Sequence, residues 1–323
     1  GSSRAGATLR PQIAPPMWRG GVVAAGLAAS RRLTRRSAHA AARLAYEAPA
    51  EWPRHLAELF VPLGPSERAA EFLEATPRAS FSRTVLHHAL CCLPLNDFDV
   101  NAWLDIYPLH LLTREQLGKL FAFAGVQTPL PRMLDIGAGE GRITEEFRPY
   151  CETIVATETS AGMVRRLRRS GYVAWQEDVA ATAQKRVAAG DGDFDLVVAL
   201  NVLDRCASPQ SLLAGARALL RPGPAWLLLA TPLPFRAEFF GWRTLWTGRP
   251  LERLNLGPGG ESPPPGEAAD AAWAAQAQKL AEELLPAAGF QPVGLSRVPY
   301  LCAGDAFVPF SELDALVVLA RKE

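Results

Sequence analysis

The sequence predicts an α/β fold on a mostly parallel sheet, placed behind a helical N-terminal element. Three observations predict it. From about residue 130, short β-branched or apolar runs alternate with helical segments, the rhythm of a parallel sheet. A glycine-rich loop, Gly137-Ala138-Gly139-Glu140-Gly141, lies between one such run and a helix. Polar residues (Asp135, Glu158, Asp178 and Asn201) stand at or just beyond the ends of the first four runs, the edge where ligands bind in such sheets.

Taken in order, residues 1–46 carry eight Arg and no Asp, Glu or Lys, with the apolar run Gly20–Ala29 between basic flanks. That composition predicts a basic targeting segment, with a disordered tail as the alternative. It points to an intracellular protein delivered to an organelle (mitochondrion or plastid) or to the endomembrane system. Residues 47–125 read as helical. Apolar residues recur at helical spacing in Leu56, Leu59 and Phe60 and again in Ala69, Phe72 and Leu73, and Thr113 stands three residues before Gln116 like a helix cap. Residues 126–323 form the main domain. Its strands are expected at Met133–Ile136, Thr153–Thr157, Val173–Trp175, Phe194–Leu200, Ala225–Ala230, Phe290–Val298 and Ala315–Leu319. Its helices are expected at Arg142–Phe147, Ala161–Arg169, Ser208–Leu220 and Ala271–Ala288. Residues 248–266, with Pro263-Pro264-Pro265, form a Pro/Gly-rich insertion.

Charge and composition exclude several classes. The net charge of +1 hides an asymmetry, because beyond residue 46 the chain carries 26 basic against 33 acidic side chains. An acidic body is a poor grip for phosphates, so nucleic acid is not the expected partner. No run of about 18 apolar residues occurs, so no conventional membrane-spanning helix is expected. Five Cys in 323 residues are too few for a disulfide framework.

The spacing in the glycine loop selects its ligand. A dinucleotide fingerprint, G-x-G-x-x-G, would need its third glycine at Arg142, and no Lys with Ser or Thr follows to make a diphosphate loop. Glycines at 137 and 139 let backbone approach a ligand closely. Asp135 beside them disfavours a phosphate and suits a cationic or zwitterionic ligand, such as S-adenosylmethionine with its sulfonium and ammonium. Glu158, ending the second strand, is placed to accept from two ribose hydroxyls, and Asp178 from an adenine amino group or else from solvent.

The fourth strand delivers Asn201-Val202-Leu203-Asp204-Arg205-Cys206, where Asn201 and Asp204 are candidates for chemistry or for helix capping. Near the C-terminus, Pro299-Tyr300-Leu301-Cys302-Ala303-Gly304-Asp305 is expected to connect the last two strands. All five His lie before the main domain, so no His there can activate Cys302 or a Ser, and Cys302 reads as a buried thiol. His87/Cys91 and His88/Cys92 are i,i+4 pairs, but each face offers only two metal ligands, so no metal is expected.

Together these segments resemble a known family. Leu134–Gly141 resembles motif I of the class I S-adenosylmethionine-dependent methyltransferases. Leu200–Cys206 and Pro299–Asp305 resemble the hallmark segments of the DREV family, methyltransferases of protein histidine at the pros nitrogen, and Ala156-Thr157-Glu158 and Leu233-Pro234-Phe235 also match. The resemblance covers about residues 57–323 and departs at Ala303, where the family usually carries Glu. It implies the seven-stranded class I methyltransferase sheet with its last strand antiparallel, S-adenosylmethionine as cofactor and S-adenosylhomocysteine as product. It implies protein substrates with an H-x-H pattern, and Asn201, Asp204 and Tyr300 around the target imidazole. The cofactor set it implies is Asp135, Gly137, Gly139, Glu158, Asp178 and Asn201. The rival readings are a small-molecule methyltransferase of the same fold, a non-catalytic binding module and, more distantly, a dehydrogenase.

Overall fold

A computed structural model describes residues 46–75, 78–93, 95, 97–237, 239–240, 247–248, 251–256, 267–307 and 310–323. The Arg-rich segment before Tyr46 and most of the Pro/Gly-rich insertion, Pro263-Pro264-Pro265 included, lie outside the described residues.

The N-terminal element is helical: α1 (Arg54–Glu58), α2 (Glu67–Ala75), α3 (Phe81–Cys91) and α4 (Asp97–Leu104), then the short strand β1 (Leu109–His110) and α5 (Arg114–Phe123). Thr113 caps α5 in a full capping box with Gln116, as the spacing predicted. The main domain follows with β2 (Leu130–Ile136), a 3-10 segment (Thr144–Tyr150), β3 (Cys151–Glu158), α6 (Ala161–Arg169), β4 (Val173–Gln176), α7 (Val179–Ala188), β5 (Leu196–Leu200), α8 (Pro209–Leu219) and β6 (Trp226–Pro232). A two-residue pairing of β7 (Phe239–Phe240) with β8 (Thr247–Gly248) precedes α9 (Glu267–Lys279). A π turn (Leu280–Leu284) then runs into α10 (Leu285–Ala287), and β9 (Phe290–Ala303) and β10 (Phe310–Lys322) end the chain.

The main sheet has eight strands in the order β1-β9-β10-β6-β5-β2-β3-β4. β2, β3, β4, β5 and β6 run parallel, and β10 is antiparallel to both β6 and β9. That is the expected seven-stranded arrangement with its last strand antiparallel. The eighth strand is β1, which the helical element adds antiparallel to β9. Side-chain alternation sorts the core into two layers. Val197 and Ala199 face the layer shared with α7, α8 and α9, whereas Leu196 and Val198 face α5 and Phe147.

Four expectations need correction. The segment expected as helix Arg142–Phe147 is a 3-10 stretch from Thr144 to Tyr150, with Pro149 inside it. Pro149 has no N–H to give the Glu145 carbonyl, so a regular α-helix cannot continue through it. The segment 299–305 does not connect two strands, because Pro299–Ala303 belongs to a 14-residue β9 paired along its length with β10. The helix Ala271–Ala288 divides into α9, the π turn and α10. Helix α7 was not anticipated at all.

The helical element is tied to the main domain through Trp52. Its indole stacks on Trp273 of α9 with centroids 5.8 Å apart, and its Nε1 donates to the Ala274 carbonyl. Trp273 is 1% exposed, donates to the Asp314 carbonyl and lies under the Arg297 guanidinium, which is itself paired with Asp314. Trp273→Ala is therefore expected to lower unfolding stability by about 3–5 kcal/mol, the usual cost of emptying a large aromatic site. Chemical denaturation would measure it, with loss of cooperativity between the helical element and the sheet as the expected signature.

Candidate active site

The site forms where β2, β3 and β5 end. Asp135, the penultimate residue of β2, is buried, and its Oδ2 accepts from Thr144 Oγ1 at 2.6 Å. Burial is the main cause that pushes its carboxyl up to about 7, Thr144 pulls it down, and the Glu158 charge raises it further. The chain then turns at Gly137 (φ 70°) and Gly139 (φ 58°), a backbone region costly for a side chain. The two glycines differ in their surroundings. A Cβ on Gly137 would lie 2.5 Å from Val202 Cγ2, whereas one on Gly139 would meet nothing within 4 Å. Gly137 is a packing glycine, and Gly139 borders open space in which a ligand could lie against backbone.

Glu158, half-buried at the end of β3, faces the same space. Its carboxylate accepts backbone N–H groups from Gly139 at 3.3 Å, Thr159 at 2.6 Å and Ser160 at 3.3 Å. Burial raises its pKa more than these donors lower it. The α4 helix closes this flank, because Asp99 accepts from Ser160 Oγ and from the Gly162 N–H at the start of α6. Asp178 is an exposed N-cap of α7, its Oδ1 accepting from the Ala180 N–H. The structure gives this carboxylate a capping role, and its charge also reaches Cys206 in the turn after β5.

The second half of the site is the turn after β5. Asn201 is buried with φ 56°, an uncommon conformation for a residue with a side chain. Its N–H is fixed to the Ala230 carbonyl, yet neither polar atom of its buried amide completes a hydrogen bond of good geometry. The Tyr300 hydroxyl is near enough to feel that amide. Tyr300 is 2% exposed on β9, and burial, ahead of the nearby charges, pushes its hydroxyl up to about 12, so it stays protonated as a donor. Asp204 is buried as well, with Arg205 Nε 3.5 Å from its Oδ2. The Arg205 guanidinium lies 6.0 Å from the Tyr300 ring centroid. The structure thus brings Asn201, Asp204 and Tyr300 together from two distant stretches of chain. Arg205, which lies between Asp204 and Tyr300, was within the quoted motif but received no role there.

The remaining candidates fall outside this centre. Burial pushes the Cys302 thiol up to about 11, so it is a protonated group and a poor nucleophile at neutral pH. Asp305 turns away and accepts from the Tyr107 hydroxyl at 3.0 Å and from the Phe307 N–H. His87 Nε2 meets Asn101 Oδ1 at 2.8 Å and Cys91 Sγ at 3.4 Å. Among the described residues no group of three or more His, Cys, Asp or Glu gathers in a metal-binding arrangement, and no helix is long and apolar enough to cross a membrane.

The chain is similar in sequence to known methyltransferases. The family of DREV methyltransferases matches residues 45–322. A ubiquinone biosynthesis O-methyltransferase of Ruegeria pomeroyi is 28% identical over 127 residues, 36% of this chain and 51% of that protein. One of Xanthomonas campestris pv. campestris is 27% identical over 150 residues, 44% of this chain and 62% of that protein. The chain therefore spans about half to three-fifths of these relatives' length. Among solved structures, the N-methyltransferase NodS of Bradyrhizobium japonicum in complex with S-adenosyl-L-homocysteine superposes with a TM-score of 0.37 at 15% identity, covering 65% of this chain and 86% of that one.

The buried Asp135 gives a prediction with a defined sign. Its folded pKa of about 7 lies above the ordinary 3.8, so the native state holds more protons than the unfolded chain between those values. Stability contributed at this position is therefore present at low pH and is lost as pH rises from about 4 to 7. Asp135→Asn keeps the acceptor for Thr144 and removes the buried charge. The variant is expected to exceed the parent by on the order of 1–3 kcal/mol at pH 8 and to match it near pH 4. Thermal melts of both proteins across that range measure the difference; a constant offset contradicts the assignment.

Proposed function

The chain belongs to the DREV methyltransferase family, and from that premise we propose that it transfers a methyl group from S-adenosylmethionine to the pros nitrogen of histidine in H-x-H segments of protein substrates. The observation that carries the reading is the convergence of Asn201, Asp204 and Tyr300 beside the Gly139 cradle. The residues fit the cofactor. Open space against Gly139 suits its amino-acid end, the carboxylate of Glu158 suits its ribose hydroxyls, and the buried Asp135 suits a cationic ligand whose charge would offset its own desolvation. Once bound, S-adenosylmethionine supplies an electrophilic methyl group on a sulfonium sulfur.

The chain's own groups then need only orient the acceptor. A neutral imidazole is already a competent nucleophile near pH 7. Methylation at the pros nitrogen needs its lone pair, so the ring proton must sit on the tele nitrogen. Asp204 accepts that tele N–H, selects the tautomer and faces the ring as it becomes cationic. Arg205 holds the carboxylate in place, and Asn201 and Tyr300 fix the plane of the ring with hydrogen bonds. The names of the Ruegeria and Xanthomonas relatives favour a second reading, methyl transfer to a small molecule on the same site.

Tandem mass spectrometry of an H-x-H peptide, incubated with enzyme and cofactor beside a panel of phenolic metabolites, separates the two readings. One pros-methylhistidine and no methylated phenol is the expected outcome. Asp204→Asn is expected to lower kcat about 10²-fold with cofactor affinity retained, the scale of losing one preorganised electrostatic partner. An active but destabilised variant would instead make Asp204 a structural cap.

Glu158→Ala is expected to weaken S-adenosylmethionine binding by about ten- to a hundredfold, since a charge-assisted hydrogen bond is worth roughly 1.5–3 kcal/mol. Isothermal titration calorimetry reads this directly, and unchanged affinity would put the ribose elsewhere.

A further inference from the structure

A cavity of about 450 Å³ opens on the flank of the site, between the N-terminal helices and the end of the glycine loop. Its walls carry four arginines: Arg68 on α2, Arg78 and Arg83 around the start of α3, and Arg142 just past Gly141. Two are neutralised at home, because Arg68 pairs with Glu146 and Arg142 with Glu140. Two acids also line the cavity. Of these, Asp105 is held by Arg166 on α6 at 2.7 Å and is also within electrostatic reach of Arg83 and Arg142, and Glu71 is exposed. Arg78 and Arg83 are exposed, and neither enters an ion pair among the described residues. Two guanidiniums therefore face an open groove in a chain whose body beyond residue 46 is acidic.

The groove borders the glycine loop of the site already described through Arg142. Tyr107 on its wall hydrogen-bonds Asp305, five positions after Tyr300 and just beyond β9. Arg142, also on its wall, lies three residues beyond Gly139. Phe72 and Tyr107 add apolar surface between the charges, and Phe72 lies against the His110 ring at 5.6 Å. An open groove with exposed guanidiniums and apolar walls fits an extended polypeptide with carboxylate side chains better than a compact metabolite. Planar guanidiniums bind carboxylates in paired hydrogen bonds, and apolar walls between them hold the intervening chain.

We propose that this groove seats an acidic stretch of the acceptor polypeptide, flanking the residue that is methylated. The inference rests on the proposed function for its position beside the acceptor. It needs no new chemistry: the groove selects among H-x-H segments by the charge next to them and leaves the transfer step unchanged. Such recognition acts on association, so it belongs in KM and not in kcat.

Two measurements on the full chain test it. First, fluorescence anisotropy with a labelled ten-residue Asp/Glu peptide lacking His reads the groove directly, with a Lys peptide as control. The acidic peptide is expected to bind and the Lys peptide not. Binding is expected to weaken as salt rises and to fall at least about tenfold in Arg78→Glu/Arg83→Glu. Second, H-x-H peptides carrying Glu or Lys on either flank are compared for turnover. The Glu-flanked peptide is expected to have the lower KM on one flank at equal kcat, with the preference reversed in the double variant. Both substitutions are at exposed positions, and Arg78→Gln/Arg83→Gln gives the same reading with a smaller loss should the charge reversal impair folding. Absence of acidic-peptide binding, or binding that both variants leave unchanged, overturns the proposal. If no H-x-H peptide is methylated, the functional reading fails while the anisotropy still decides the groove.

Discussion

The contact between Gly137 and Val202 is the constraint on which the site depends. The turn leaving β2 and the turn leaving β5 come so close that a single methyl on Gly137 would overlap the Val202 side chain. Neighbouring parallel strands end side by side in any such sheet. Here their exits are also packed against each other, so the loop that borders the cradle cannot move without the turn that carries Asn201 and Asp204. The Asn201 backbone conformation agrees with this. A residue with φ 56° is held there by its surroundings, in this case by its N–H on Ala230 and by the packed turn that follows. Proximity in the site is thus built into the fold, and on the proposed reading a shift of an ångström at Gly137 would be felt at Asp204.

The N-terminal helices are part of the site and not a separate cover. Asp99 of α4 binds Ser160 Oγ and the Gly162 N–H, so the residues flanking Glu158 are fixed partly from outside the sheet. β1 extends the sheet beyond β9 and ends against the segment that carries Tyr300. Tyr107 reaches Asp305, and burial beside that carboxylate keeps its hydroxyl protonated. This gives Asp305 a structural reason to stand in the same short segment as Tyr300. On the proposed reading one residue faces the chemistry and the other anchors the element that walls it in.

What the sequence made legible follows from burial. The parallel strands read clearly because both faces are covered, which leaves near-continuous apolar runs such as Leu196–Leu200. Motif spacing located Asp135, Gly137, Gly139, Glu158 and Asn201, because those positions depend on where a strand stops, a local property. The missed elements lacked such a signal. Helix α7 buries only Val179 and Ala183, too little for a visible apolar stripe. Two-residue β1 has no pattern of its own and exists because the far end of β9 offers it an edge. Tyr300 sits inside a strand because β9 continues past Val298, the expected end of the strand, held by β10 along its whole length, a pairing that composition cannot reveal. Arg205 was invisible for a similar reason, since its partner Tyr300 lies 95 positions away and only the folded sheet brings its guanidinium over that ring.

The distribution of charge gives the molecule a direction. Its floor is acidic: Asp135 and Asp204 are buried within it and Glu158 faces it, and burying carboxylates is costly unless something offsets them. Thr144 and Arg205 offset part of that cost with hydrogen bonds and charge, and the raised carboxyl of Asp135 marks what is left over. A floor of this kind is better matched by cationic ligands than by neutral ones. On the proposed reading both a sulfonium and a methylated imidazole ring meet that requirement at different moments. The rim toward the N-terminal helices is basic by contrast, and its charges are exposed and screened by solvent. Buried charge acts strongly over a few ångströms and exposed charge weakly over longer ones, so the two regions divide the work. On the proposed reading the floor discriminates by chemistry at the reacting atoms, and the rim can act only on what arrives.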